Sequence, residues 1–189
     1  MKTKKSTVVY FVIVIIFLGG LLALFPNSKS APPPDSILEQ RSSAGEVALR
    51  ETGITPSVLF KDADGKDIDI SKQQGKVLFI NFWATWCPPC IQEMPSINAL
   101  RRHFSGKDIQ FFMVDVDANF SRSEKFMRRN RYDLPVYIPA GEIPPEFLSG
   151  SIPTTVIIDK GGKVFGKHVG TADYMDPGII NLLDSLVNQ

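Results

Sequence analysis

Residues 82–90 read Phe82-Trp-Ala-Thr-Trp-Cys-Pro-Pro-Cys90 and hold the only two cysteines of a 189-residue chain. Just upstream, Val77 to Trp83 is nearly all apolar and β-favouring, as a central strand buried on both faces requires. Downstream, Ile91, Met94, Ile97, Leu100 and Phe104 recur at helical spacing, so a helix is expected from Pro88 to about Phe104. Cys87 then falls at a helix N-terminus, where unpaired backbone N–H groups and the helix dipole favour a thiolate. Pro88 and Pro89 suit a first helical turn, because their missing N–H groups would lack intrahelical partners anyway. Cys90 lies about one turn further, on the buried side. The expected pair is asymmetric: an exposed, acidic Cys87 attacks and a shielded Cys90 resolves. Cys87 is expected to ionise clearly below the free thiol value of about 8.5.

Other uses of two thiols are weaker. Half of a zinc site would need two more ligands, and there is no third cysteine. His103 and His168, the only histidines, read as ordinary surface or core residues, so no metal ligands are assigned. A purely structural Cys-x-x-Cys disulfide would close too small a loop to stabilise much.

Outward from this stretch the pattern is that of one α/β domain over residues 53–189. Val58-Leu59-Phe60 and Ile68-Asp-Ile70 flank the turn sequence Asp62-Ala-Asp-Gly65 and predict a hairpin. Ile109 to Val116 is a second buried strand, with a helix expected from about Ser121 to Arg131. Val136 to Ile138 is a short strand, and 142–148 holds a helical turn. Thr154–Ile158 and Lys163–His168 pair across Asp159-Lys-Gly-Gly162, and a last helix runs from about Met175 to Val187. Strands alternating with helices and ending in a hairpin predict a mixed central sheet flanked by helices.

Residues 1–7 carry Lys2, Lys4 and Lys5; Val8 to Phe25 is then uncharged over 18 residues. At about 1.5 Å per residue this spans roughly 27 Å, near the hydrocarbon thickness of a bilayer. The preceding lysines should stay cytoplasmic and place the remainder across the membrane. The segment reads as a retained transmembrane anchor; a cleaved signal peptide, with Ser28-Lys-Ser30-Ala31 as the cleavage region, is the competing reading. No cysteine stands there to take a lipid. Residues 26–52 form a linker, and Ala31-Pro-Pro-Pro-Asp35 is a stiff spacer within it. Without the three N-terminal lysines, 18 basic side chains stand against 20 acidic ones, which argues against a nucleic-acid partner. Arg122, Lys125, Arg128, Arg129 and Arg131 do cluster at helical spacing. They read as a solvated helix face, with docking to an acidic partner or a lipid surface as the alternative.

Read with Pro95 and Ile152-Pro-Thr154, the stretch 82–90 resembles the thioredoxin superfamily. The early hairpin and Cys90-Ile-Gln-Glu-Met-Pro95 resemble its membrane-tethered, extracytoplasmic TlpA/ResA branch. The similarity runs from about Ser57 to the C-terminus. It implies a thioredoxin-like fold with an N-terminal β-hairpin extension, a helix kinked at Pro95, and a cis bond before Pro153 facing the dithiol. It further implies that the backbone of Ile152 pairs with an extended segment of the substrate protein, and that Trp86 walls the thiol, unless Trp86 merely packs in the core. One departure stands out. The position of a buried aspartate in many thioredoxins is Asn81, and an amide cannot accept the proton of Cys90. The branch places a glutamate shortly after the second cysteine, where Glu93 stands. A buried Glu93 would have a raised pKa and could serve as proton acceptor; otherwise it is a first-turn carboxylate favouring the helix dipole.

The implied activity is dithiol–disulfide exchange by the Cys87–Cys90 couple alone, without a cofactor, in the direction of reduction. Its partners would be disulfide-containing exported proteins, cytochrome c maturation being one such service in the family, and a membrane electron donor that re-reduces the pair. The potential of such a reductase should lie nearer about −270 mV than about −120 mV. An exported copper-binding module using the same thiolates and a non-catalytic interaction module are the rivals. Peroxidase chemistry is disfavoured, because Ala84-Thr-Trp-Cys87 lacks the proline and threonine placement of peroxiredoxins.

Overall fold

Residues 57–189 are described in a computed structural model. The expected N-terminus, anchor and linker (1–52), and residues 53–56, lie outside the described residues. Among residues 57–189, no helix is long and apolar enough to cross a membrane.

The sheet grows from β3 (Val77–Trp83), whose seven residues are all buried. It pairs in parallel with β4 (Ile109–Asp115) and antiparallel with β6 (Thr154–Ile158). The full order is β2-β1-β5-β4-β3-β6-β7. Here β1 is Leu59–Lys61, β2 Asp67–Asp69, β5 Val136–Pro139 and β7 Val164–Val169. The β1–β2 hairpin adds to the edge through an antiparallel β1–β5 pairing, so the sheet is mixed, as expected. Ile70 leaves the predicted second strand: Asp69 accepts hydrogen bonds from the backbone N–H and hydroxyl of Ser71 and starts a 3-10 turn, Ile70–Lys72, instead. Gly65 turns the hairpin with φ +82°, a conformation open to glycine.

Among the described residues, three α-helices complete the fold. α1 runs Pro88–His103, α2 Phe120–Asn130 and α3 Pro177–Val187. Asn119 caps α2 by accepting from Arg122 N at 3.1 Å, and Asp176 caps α3 by accepting from Gly178 N at 2.8 Å. α3 starts two residues after Met175, because Asp176 is its cap and Pro177 its first residue. In 142–148 a single turn forms, with Leu148 N bonded to Pro144 O.

Because side chains alternate along a strand, β3 feeds two cores. Val77, Phe79 and Trp83 join a cluster with Met94, Ile97 and Leu100 of α1, Met127 of α2, and Leu183 and Leu186 of α3. Leu78, Ile80 and Phe82 join Phe60, Phe112, Val156 and Phe147 on the opposite face. The buried members of the second cluster include no α-helical side chain; Ile70 and Phe147 come from a 3-10 turn and a loop.

Candidate active site

The end of β3 determines where the cysteines stand. After Trp83 the chain turns, closed by Cys87 N to Ala84 O at 3.2 Å, and enters α1 at Pro88. Cys87 is the N-cap, with φ −91° and ψ 101°, and its Sγ accepts from Cys90 N at 3.3 Å. The two cysteines are joined as a disulfide with Cα atoms 5.3 Å apart. A backbone N–H at a helix start directed at this sulfur is the kind of donor that favours a thiolate over a thiol.

Cys87 is not the exposed residue expected from sequence. It is 3% exposed and Cys90 is 0% exposed. In the disulfide, Cys87 lies within the buried cluster that includes Trp83 and Ala84. The solvent-facing surface of the turn belongs to its neighbours, Trp86 at 61% exposure and the exposed Pro88 and Pro89. Trp86 is therefore no core residue. Its Nε1 donates to Asp117 Oδ2 at 2.6 Å, which fixes the indole beside the cysteines. Asp117 is itself oriented by buried Asp115, whose carboxylate accepts from the N–H groups of Asp117 and Asn119 and from Ser123 Oγ.

Pro153 follows a cis peptide bond from Ile152. In the β3–β6 register Phe82 stands opposite Thr154, so Pro153 lies at the strand end from which the cysteine turn departs. Thr171 Oγ1 donates to Pro89 O at 3.3 Å, and Gly170 N to Pro153 O at 2.9 Å, so the segment after β7 bridges the two. Among the described residues, the N–H and carbonyl of Ile152 have no hydrogen-bond partner. Pro95 sits on the exposed side inside α1 and cannot donate to the carbonyl of Ile91.

Behind the disulfide lies a polar chain inside the first cluster. Asn81 and Glu93 are 0% and 1% exposed. Asn81 Nδ2 donates to Glu93 Oε1 at 2.8 Å and to Thr155 Oγ1 at 2.9 Å. Thr155 Oγ1 also hydrogen-bonds the hydroxyl of buried Tyr174. Glu93 Oε2 accepts from Ala172 N at 3.3 Å. Burial pushes the Glu93 carboxyl up to about 7, against the two hydrogen bonds that favour its charge. Burial, helped by the nearby Glu93 charge, raises the Tyr174 hydroxyl above its ordinary value. At this burial Glu93 is no surface carboxylate, and its hydrogen-bond partners are the Asn81 amide and the Ala172 backbone N–H. It stands three residues beyond Cys90 on α1, one helical turn away. Among the described residues no group of three or more His, Cys, Asp or Glu could hold a metal ion.

The Redoxin family profile matches residues 50–178 of the chain. The chain belongs to the Redoxin family. Within this redoxin, similarity extends to the ResA type. Thioredoxin-like protein YneN of Bacillus subtilis is 35% identical over 141 residues, covering 71% of this chain and 80% of its own length. Thiol-disulfide oxidoreductase ResA of Bacillus cereus is 35% identical over 116 residues, 61% of this chain and 67% of that protein. The crystal structure of a thiol:disulfide interchange protein of the thioredoxin family from Chlorobium tepidum superposes with a TM-score of 0.56 at 25% identity, over 73% of this chain and 99% of its own. This redoxin is thus a ResA/TlpA-like member of the thioredoxin superfamily and a thiol–disulfide oxidoreductase enzyme.

The sequence reading of this redoxin missed Asp117, Thr155, Tyr174 and Ala172 as neighbours of the site. Thr155 is 74 residues from Asn81 and the Ala172 amide 79 from Glu93, so only strand register and the loop after β7 bring them in. Asp117 had a local signal, an Asp-x-Asp-x-Asn run ending a buried strand.

Proposed function

We propose that this redoxin reduces disulfides of exported proteins by dithiol exchange through Cys87 and Cys90, on the extracytoplasmic side of the membrane to which residues 8–25 tether it. The reading is carried by one observation: Cys87 caps α1 with its sulfur accepting a helix N–H, and Cys90 stands one turn behind, bonded to it. The Cys87 thiolate attacks a substrate sulfur, forming a mixed disulfide and expelling the other substrate sulfur as thiolate, which takes a proton. Cys90 then loses its proton and attacks Cys87 Sγ, which releases the reduced substrate and leaves the Cys87–Cys90 disulfide. Glu93 is the acceptor for the Cys90 proton. A carboxyl titrating at about 7 is suited to take and return protons near neutrality.

The unpaired backbone of Ile152 beside cis-Pro153 supports the substrate as an added extended segment, with Trp86 as its apolar wall. The couple needs no cofactor, and a membrane electron donor restores the dithiol. Cys90→Ser tests the reading: exported substrates, cytochrome c precursors or others, should stay covalently held on Cys87 and be identified by mass spectrometry. If the variant holds no protein and the wild type reduces no disulfide peptide, or if the pair instead binds copper(I) stoichiometrically without exchange, the reading fails.

A further inference from the structure

Dithiol exchange leaves the cationic run on α2 unused. Arg122, Lys125 and Arg129 are exposed and stand three and four residues apart, which puts them on one face of the helix. With Thr85 and Phe126 they line a groove of about 530 Å3. Thr85 is two residues before Cys87, so this groove opens beside the redox turn. Its near end is tied to that turn: Arg122 Nη1 lies 3.7 Å from Asp117 Oδ2, the same atom that accepts Trp86 Nε1. Glu124 is engaged by Arg128. Lys125 and Arg129 have no ion-pair partner among the described residues. The chain as a whole is nearly neutral, with 21 basic against 20 acidic side chains, and three of the basic ones stand together here.

We propose that the groove docks an acidic stretch of the substrate protein flanking the disulfide to be reduced. The inference rests on the exchange reaction above and names the class of substrate it serves. From position 122 to 129, α2 rises roughly 10 Å, the reach of about three residues of extended chain. Two carboxylates spaced along such a segment would meet Lys125 and Arg129, while Asp117 keeps Arg122 turned toward the Trp86 wall. The charge acts first on encounter, raising the rate at which acidic targets arrive, and then on register, holding the target sulfur near Cys87. An anionic lipid surface is the less favoured occupant, because a bilayer laid along this face would cover the turn that substrates must reach.

The test uses the full chain in neutral detergent, reduced, and three disulfide peptides that differ only in an acidic, an amide or a lysine flank. Second-order rate constants for reduction are compared in wild type and in Lys125→Glu/Arg129→Glu. The acidic peptide should react about tenfold faster than the amide one at low ionic strength, with the lysine peptide slowest. The preference should collapse in high salt and invert in the double variant. A ratio of rates is read because any general loss of folding or thiol reactivity cancels from it. Equal rates for the three peptides would overturn the docking inference while leaving exchange intact; no reduction of any peptide would overturn both. Loss of binding to phosphatidylglycerol vesicles in the double variant, with peptide preference unchanged, would assign the groove to lipid and also overturn the inference.

Discussion

The two faces of one sheet are built on different physics. On the face formed by Leu78, Ile80 and Phe82, the core is apolar but for Thr154, whose hydroxyl donates to Ser151 O, and is stacked with aromatics: Phe60 lies against Phe82 and Phe112, each pair with ring centroids 6.0 Å apart, and Phe112 against Tyr137 at 4.7 Å. On the opposite face, the same strand buries Asn81 and sets it against Glu93, Thr155 and Tyr174. The polar side is imperfectly satisfied, since Asn81 Oδ1 and Trp83 Nε1 are buried without a partner. Unpaired buried polar atoms cost free energy, so they are kept only where something else requires them. The difference teaches that strand alternation confines the chemistry rather than the packing: both faces bury an apolar core, but only the helix-covered one also holds a titratable group, one helical turn from Cys90.

The comparison can be broken most forcefully on the dry face. Phe112→Ala removes a fully buried ring and should cost about 3–5 kcal/mol in denaturant unfolding of the oxidised protein. The loss should be the same at pH 4.5 and pH 8, because the titratable group stacked on that ring, Tyr137, has its hydroxyl raised above its ordinary value by burial and stays protonated throughout that range. A pH-dependent loss would mean that the two faces are coupled.

The wet face should show the opposite behaviour. Glu93 titrates at about 7 in the folded chain against its ordinary 4.5. In this window the folded chain holds a proton that the unfolded chain has released, so stability falls as pH rises. The contribution is complete below about 4.5 and is lost as pH passes through about 7, amounting to about 3 kcal/mol. Glu93→Gln should remove that slope, and so gain about 3 kcal/mol on the wild type between pH 4.5 and pH 8. The same variant should slow release of the mixed disulfide and flatten its pH dependence. An unchanged slope and an unchanged release rate would take Glu93 out of the mechanism.

Much of this was legible in the chain. The apolar runs of β3 and β4 and the 3.6-residue period of α1 are local signals, and they carried the cysteine turn to its place. The family resemblance pointed to Asn81 and to Glu93 separately; the hydrogen bond that joins them comes from the structure. What escaped the sequence depends on distance along it or on a local competition. Asp69 caps a turn and shortens β2, a choice between two hydrogen-bonding schemes that alternation does not see. Thr155 and Ala172 reach Asn81 and Glu93 only through the β3–β6 register and the loop after β7. Cys87 is nearly fully buried beside the start of the helix while Trp86, its neighbour, stands outside, an exposure that depends on contacts from the rest of the core rather than on local pattern.

Since both sulfurs are buried when bonded, everything turns on whether opening the disulfide makes them unequal. The direct measurement is competitive labelling of the reduced full chain with limiting iodoacetamide at neutral pH, read residue by residue by mass spectrometry. Cys87, at the helix start, should be alkylated at least about tenfold faster than Cys90. Equal labelling, or faster labelling of Cys90, would contradict the assignment of Cys87 as the attacking thiol.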